Sequence, residues 1–204
     1  MPGSARPSAP GQLRLVHAFL LSADRESGRD DFATPGGMRR WLAAQRLVAP
    51  NAELGEEDRR SLVELRQALY ELVAAGSGLG TNLRAVSTLN EAARRIRLGM
   101  RLHPDDGYRL MSEGLGLDRV VGDVLVAALS AMAAGNWSRL KVCANPACGR
   151  AFYDTSRNRS GRWCSMSSCG NRAKGRAYRR RRAEARPTGA SAEAQDALAA
   201  AAAG

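Results

Sequence analysis

Cys143, Cys148, Cys164 and Cys169 are the only cysteines of this 204-residue chain, and they stand as C-x4-C-x15-C-x4-C. Thiolates act as nucleophiles, redox partners or soft metal ligands. Two evenly spaced pairs separated by a short loop supply four ligands to one tetrahedral Zn²⁺. Two disulfides, or an iron–sulfur cluster on the same four thiolates, are the competing chemistries. The first twelve residues are rich in Pro, Ser and Gly and carry no apolar targeting stretch, so a reducing cytoplasmic setting is expected, and disulfides are disfavoured there. The even pairing and the lack of a redox domain disfavour the cluster. One structural Zn²⁺ is therefore the expected cofactor.

The second chemical signal is charge, and it is localised. Residues 1–138 carry 17 basic and 16 acidic side chains, whereas residues 139–186 carry 14 basic and two acidic ones, Asp154 and Glu184. The C-terminal stretch 187–204 holds Glu193 and Asp196 and no cation. A near-neutral domain joined to a strongly cationic module predicts a polyanion-binding appendage. The cations are concentrated from Arg172 to Arg182, where seven of eleven residues are basic: Arg172, Lys174, Arg176, Arg179, Arg180, Arg181 and Arg182. On a helix, Arg172, Arg176, Arg179 and Arg180 share one face. Arg157, Arg159 and Arg162, in the polar loop between the cysteine pairs, widen the cationic surface. These ten side chains are the candidate nucleic-acid contacts, mostly to phosphate, which positions a protein without reading sequence.

Elements must hold these groups in place. Within the cysteine module, Cys143 to Cys148 contains Pro146 and is followed by Gly149, which suits a tight knuckle. Ala151–Asp154 reads as a strand, Arg162–Cys164 as its returning partner, and the second cysteine pair as the start of a last, basic helix, where the helix dipole favours thiolate charge. Phe152, Tyr153 and Trp163 are available as a miniature core. Upstream, Leu13–Leu21 is a short buried element. Thr34 before Pro35 is an N-cap signal for a helix over Met38–Leu47. Glu56–Ala75 has helical periodicity, with Leu62, Leu65, Leu69, Leu72 and Val73 on one face. A further helix is expected over 81–98, with Leu83, Val86, Leu89, Ala93 and Ile96 inward. Pro104-Asp-Asp-Gly107 marks a β-hairpin between Gly99–His103 and Tyr108–Ser112. Asp118 would cap a last N-terminal helix running to Gly135, with Val121, Val124, Leu125, Ala128, Leu129 and Met132 inward. The fold class is thus α+β: a mostly helical domain over 13–138 with a small hairpin, then a zinc-finger module over 139–186 built of knuckle, hairpin and basic helix. Residues 1–12 and the Ala-rich 187–204 are expected to be disordered.

The run from Phe152 to Lys174, which contains Cys169-Gly-Asn-Arg172, resembles the zinc finger of the bacterial CGNR family. Residues from 13 through Thr34-Pro-Gly-Gly-Met-Arg-Arg-Trp-Leu42 resemble the ABATE domain that precedes that finger in its relatives, a stress-induced transcription regulator. Leu20-Leu21-Ser22 departs there from the Asn-Thr pair expected of relatives. The resemblance implies four Cys ligands and a regulatory, DNA-binding role.

Other chemistries find little footing. His17 and His103 are the only histidines and neither sits in ligand or triad spacing. Asp105 and Asp106 lie in a turn, and Gly76-Ser-Gly-Leu-Gly80 breaks two helices rather than cradling phosphate. No enzyme activity is expected. Trp41, Tyr70 and Trp137 are core candidates. Val120–Ala134 is the longest apolar stretch, and it is interrupted by Asp123 and shorter than the ~20 residues a membrane span needs, so no membrane partner is expected. The expected function is a zinc-dependent DNA-binding transcriptional regulator, cytoplasmic and nucleoid-associated. Its N-terminal domain would sense a small effector or form a homodimer. RNA binding at the ribosome and a zinc-stabilised protein–protein adaptor are the alternatives.

Overall fold

The computed structural model describes residues 7–80, 83–104 and 107–185. Six helices and three two-stranded antiparallel ladders are formed among them. In chain order they are α1 (Leu13–Leu21), β1 (Ala23–Asp24), β2 (Arg29–Asp30), α2 (Pro35–Ala44), α3 (Glu56–Gly76), α4 (Leu83–Arg95), β3 (Leu98–His103), β4 (Gly107–Ser112), α5 (Gly116–Ala133), β5 (Leu140–Val142), β6 (Ala151–Tyr153) and α6 (Asn171–Glu184). The α+β class is as expected. No helix among the described residues is long and apolar enough to cross a membrane. The packing division falls between Ser165 and Met166, beyond the change of composition near residue 138.

Local chemistry explains most boundaries. The Thr34 hydroxyl accepts from the Gly37 N–H at 3.1 Å, with Pro35 at the first helical position, so α2 begins where the sequence says. At the start of α3 the Asp58 carboxylate accepts the Gly55 N–H at 2.7 Å. Buried Leu62, Leu65, Leu69 and Val73 make α3 the spine of the core. Around it pack buried residues of α1 (Val16, Phe19), α2 (Met38, Leu42) and α5 (Val120, Val124). Phe19, Phe32 and Trp41 form an edge-on aromatic cluster with centroids 5.4–5.9 Å apart. Tyr70 and Trp137 are partly buried against the same core.

Several expectations need correction. The segment before Leu13 is packed in part: Ala9 is buried, and its N–H donates to the His17 Nδ1 at 3.2 Å. Leu72 is only half-buried, whereas Arg66 on the same helix is buried because Asp30 and Ser22 satisfy it. Leu89 packs against the core and Ile96, just beyond α4, is buried, as expected; Leu83, Val86 and Ala93 are exposed instead, and Ala85 is the buried residue of the helix. This thirteen-residue helix packs on α3 and turns Ala85, Leu89 and Ala92 toward the core. α5 is capped at Leu115, and Asp118 lies in its first turn, where its charge meets the positive end of the helix dipole. α5 is buried over a wide arc, including Ala127 and Ala131, and this leaves Leu129 and Met132 at the rim. The β3–β4 hairpin forms with Met100 opposite Leu110. The expected turn residues Asp105 and Asp106, the helix start at Thr81, and the 187–204 stretch lie outside the described residues.

The largest difference concerns β6. Its partner is β5, with Leu140 opposite Tyr153 and Val142 opposite Ala151, and not Arg162–Cys164. Leu140 and Val142 alternate with Lys141 and place both apolar side chains in the core, an advantage the 162–164 segment cannot offer. That segment is tied instead by one backbone bond, from the Ala144 N–H to the Arg162 carbonyl at 2.9 Å. β5 packs on α3 and β6 on α1, so this ladder is part of the first compact unit.

Candidate metal centre

The knuckle grows directly from the β5–β6 ladder. Beyond Val142, the Cys143 N–H donates to the Arg150 carbonyl at 2.9 Å, which closes the loop 143–150. Inside it, the Cys148 and Gly149 N–H groups both donate to the Asn145 carbonyl, at 2.9 and 3.1 Å. Gly149 has φ +59°, and a Cβ there would lie 2.9 Å from the Tyr70 hydroxyl oxygen, so only glycine fits this corner. Tyr70 in turn donates to the Gly149 carbonyl at 2.9 Å, which bolts the knuckle to α3.

The loop from Asp154 to Gly161 is held from within. Asp154 is fully buried; its carboxylate accepts from Lys141 Nζ at 2.9 Å, from the Ser156 N–H at 3.0 Å and from the Gly161 N–H at 2.7 Å. Burial alone would raise its pKa, but the bond from Lys141 and the two N–H donors outweigh it and hold the carboxyl far below the usual carboxylate range. Lys141 Nζ also donates to the Arg159 and Gly161 carbonyls, and Arg139 bridges the carbonyls of Asp154 and Ser156 at 2.9 and 3.0 Å.

Against this frame the four cysteine sulfurs come together. All four cysteines are buried and none is in a disulfide. Their Sγ atoms lie within 4.8 Å of one another, and Cys148 and Cys164 are 3.6 Å apart. Four sulfurs about 2.3 Å from one ion in a tetrahedron stand about 3.8 Å from each other, so the cluster has the dimensions of a closed mononuclear site. Its sulfurs also crowd one another. Hydrogen bonding with Cys143, then burial and the nearby sulfurs, push the Cys164 thiol well above its ordinary pKa. A divalent cation removes that penalty by balancing thiolate charge as it displaces protons. The four residues can hold a metal ion.

The candidate nucleic-acid residues are differently placed. Arg157 is exposed; Arg159 is exposed at φ +50° and donates to the Gly135 carbonyl and to Ser138 Oγ; Arg162 lies 5.6 Å from the centroid of the Trp163 ring. A π-type turn over Met166–Gly170 carries Cys169 and runs into α6, which has no buried residue. Arg172, Lys174, Arg176, Arg179, Arg180, Arg181 and Arg182 are all exposed on α6, with Arg180 3.7 Å from Glu184. Sequence reasoning missed Tyr70, Lys141, Asn145 and Asp154, which shape the site without binding metal. Lys141 carried a faint signal, as one of two lysines in a chain otherwise using arginine.

A knuckle on a short ladder, a buried four-thiolate cluster and a following cationic helix define a zinc-finger-type module behind a helical domain. Residues 139–182 match the CGNR zinc finger, and residues 13–136 match the family described as ABATE, putative stress-induced transcription regulator. The second match spans more than half of the chain, which therefore belongs to the ABATE family and carries a CGNR finger. No curated protein matches it.

Proposed function

We propose that this chain is a non-enzymatic, zinc-dependent DNA-binding transcriptional regulator. The observation that carries it is the buried four-sulfur cluster, followed directly in sequence by a helix that keeps all seven cations of 172–182 exposed. Zn²⁺ suits four soft thiolates in a buried site and brings no redox chemistry. An iron–sulfur cluster would divide the four thiolates among two or four irons and spread the sulfurs further apart. Cys143, Cys148, Cys164 and Cys169 would hold the ion. Arg157, Arg159, Arg162 and the cations of α6 would contact phosphate, although Arg159 is already engaged within the loop. The helical domain would supply effector sensing or a homodimer contact.

The test is metal analysis of the purified chain, with duplex DNA and structured RNA competing for it across a salt series. The proposal expects one zinc per chain, a steep salt slope and a DNA-bound fraction that survives competitor. Preference for RNA would move the function to ribosomal or messenger RNA. Absence of nucleic-acid affinity at physiological salt would leave a protein–protein adaptor.

A further inference from the structure

Beside the knuckle, within the first compact unit, a cleft of about 230 Å³ is lined by Leu20, Ala23, Arg25, Asp30, Arg66, Tyr70 and Arg150, among others. Three guanidinium groups reach it from three distant segments: the β1–β2 turn, α3 and the end of the knuckle. Two of them are matched by acids. Asp30 takes Arg66 in a two-pronged pair at 2.7 and 2.8 Å, and Asp24 takes Arg150 at 2.9 Å. Arg66 is further committed to Ser22 Oγ at 2.8 Å, so it forms a fixed floor. Arg25 has no carboxylate partner among the described residues. Its guanidinium lies 5.5 Å from the Tyr70 ring centroid and approaches Gly149.

Arg25 is the informative member. The pairs at Arg66 and Arg150 already staple the β1–β2 turn to α3 and to the knuckle, and Arg25 adds nothing to that staple. With Arg66 and Arg150 neutralised by their acids, Arg25 carries the unbalanced positive charge of this half-enclosed cleft. Such an arrangement is favourable once an anion enters, and a guanidinium fork suits carboxylate and phosphate oxygens equally. Arg150 gives one of its five N–H donors to Asp24 and lines the same cleft as Arg25. Leu20, Ala23 and Tyr70 provide an apolar wall, and the volume suits a head group and body of metabolite size.

We propose that this cleft is the binding site for a small organic anion, whose carboxylate or phosphate head sits between Arg25 and Arg150. A ligand there touches Tyr70, the residue that fixes Gly149 and, next to it, Cys148. It thereby bears on the metal knuckle. Any effect on DNA rests on the function proposed above, whereas the binding site itself does not.

The experiment titrates the isotope-labelled, zinc-loaded full chain with inorganic phosphate and, separately, with pyruvate, following the backbone amides of Ala23, Gly149 and Arg150. Saturable shifts with at least one probe are expected, and the tighter of the two identifies the head group. Arg25→Ala, at an exposed position, should weaken binding about tenfold or more, and Arg25→Lys should recover part of it. Absence of saturable shifts with both probes, or equal affinity in Arg25→Ala, overturns the proposal. So does the result expected of an arginine kept only to balance the thiolates: zinc loss in Arg25→Ala with no anion binding in the parent chain. Duplex affinity measured on the same samples separates the two ideas. Anion binding without DNA binding sinks the DNA function alone, and the reverse sinks the cleft alone.

Discussion

Replacing Asp154 by Asn tests the physical account of the finger loop most directly. The carboxylate is fully buried and accepts hydrogen bonds from Lys141 and from the Ser156 and Gly161 N–H groups. Asn keeps the shape but turns an NH₂ toward a donor and leaves the Lys141 charge, itself only 13% exposed, without its counter-ion. Breaking one partner of a buried pair costs about 3–5 kcal/mol. Lys141 keeps carbonyl partners at Arg159 and Gly161, so the low end, about 3 kcal/mol, is expected. Denaturant melts with zinc in excess measure this, as does a fall in Tm of about 6–12 °C. Adding Lys141→Met removes the stranded charge and should restore at least about 1 kcal/mol. The sign with pH follows from the depressed pKa. The unfolded carboxyl titrates near pH 3.9, so Asp154 contributes in full above that and its contribution is lost as pH falls below it. The stability gap between parent and variant should therefore narrow on acidification. A loss below about 1 kcal/mol at neutral pH, or a gap that widens in acid, would refute the account.

Three further outcomes follow from the same geometry. Cys164→Ser should release the metal and raise amide exchange over 154–170 while Val142 and Phe152 stay protected; zinc held at one per chain, or exchange at Val142 rising equally, would contradict this. Arg176, Arg179 and Arg180 changed together to Ala should leave zinc content intact and flatten the salt dependence of DNA binding by about two to three in the logarithmic slope; an unchanged slope removes α6 from the interface. Asp30→Ala strands the buried Arg66 beside Phe32, whose ring it overlies at 4.9 Å, and should cost about 2–3 kcal/mol in a thermal melt, since Asp30 itself is partly exposed. A neutral result would mean that water replaces the carboxylate there.

What could be read from the chain was what is encoded locally. Thr34-Pro35 marks a helix start through its own hydroxyl and ring. The Leu62–Val73 periodicity and the paired strands β3 and β4 are equally local, and the cysteine spacing announces shared ligation because each pair is close in sequence. The misreadings all depend on distant partners. β6 chose β5 because Leu140 and Val142 have a core to enter, and nothing within residues 140–164 reveals that core. Nothing near Arg66 in the chain marks it for burial; Asp30 and Ser22, 36 and 44 residues away, satisfy it there. On α4 the periodicity finds Leu89 but misplaces Leu83 and Val86, because leucine and valine outweigh alanine in a pattern, whereas close helix contact selects the smaller side chain.

The origin of β5 and β6 changes what metal binding must accomplish. In isolated zinc-finger peptides the metal contributes about 10–16 kcal/mol of apparent binding free energy because binding and folding are one event. Here Leu140, Val142 and Ala151 belong to the hydrophobic core of the helical domain, so apolar burial supports the ladder that carries Cys143 and leads back from Cys148 independently of the ion. Tyr70 fixes the corner at Gly149, and Asp154 fixes the loop that returns toward Cys164. Three of the four ligands thus stand on chain that is ordered by protein–protein contacts, and the fourth, Cys169, lies in the turn that opens α6. Metal loss then need not unfold the module as a whole. Its structural effect should be concentrated where ordering depends most on the ion, on the segment between Cys164 and Cys169 and on the start of the basic helix, the part of the chain proposed to meet nucleic acid.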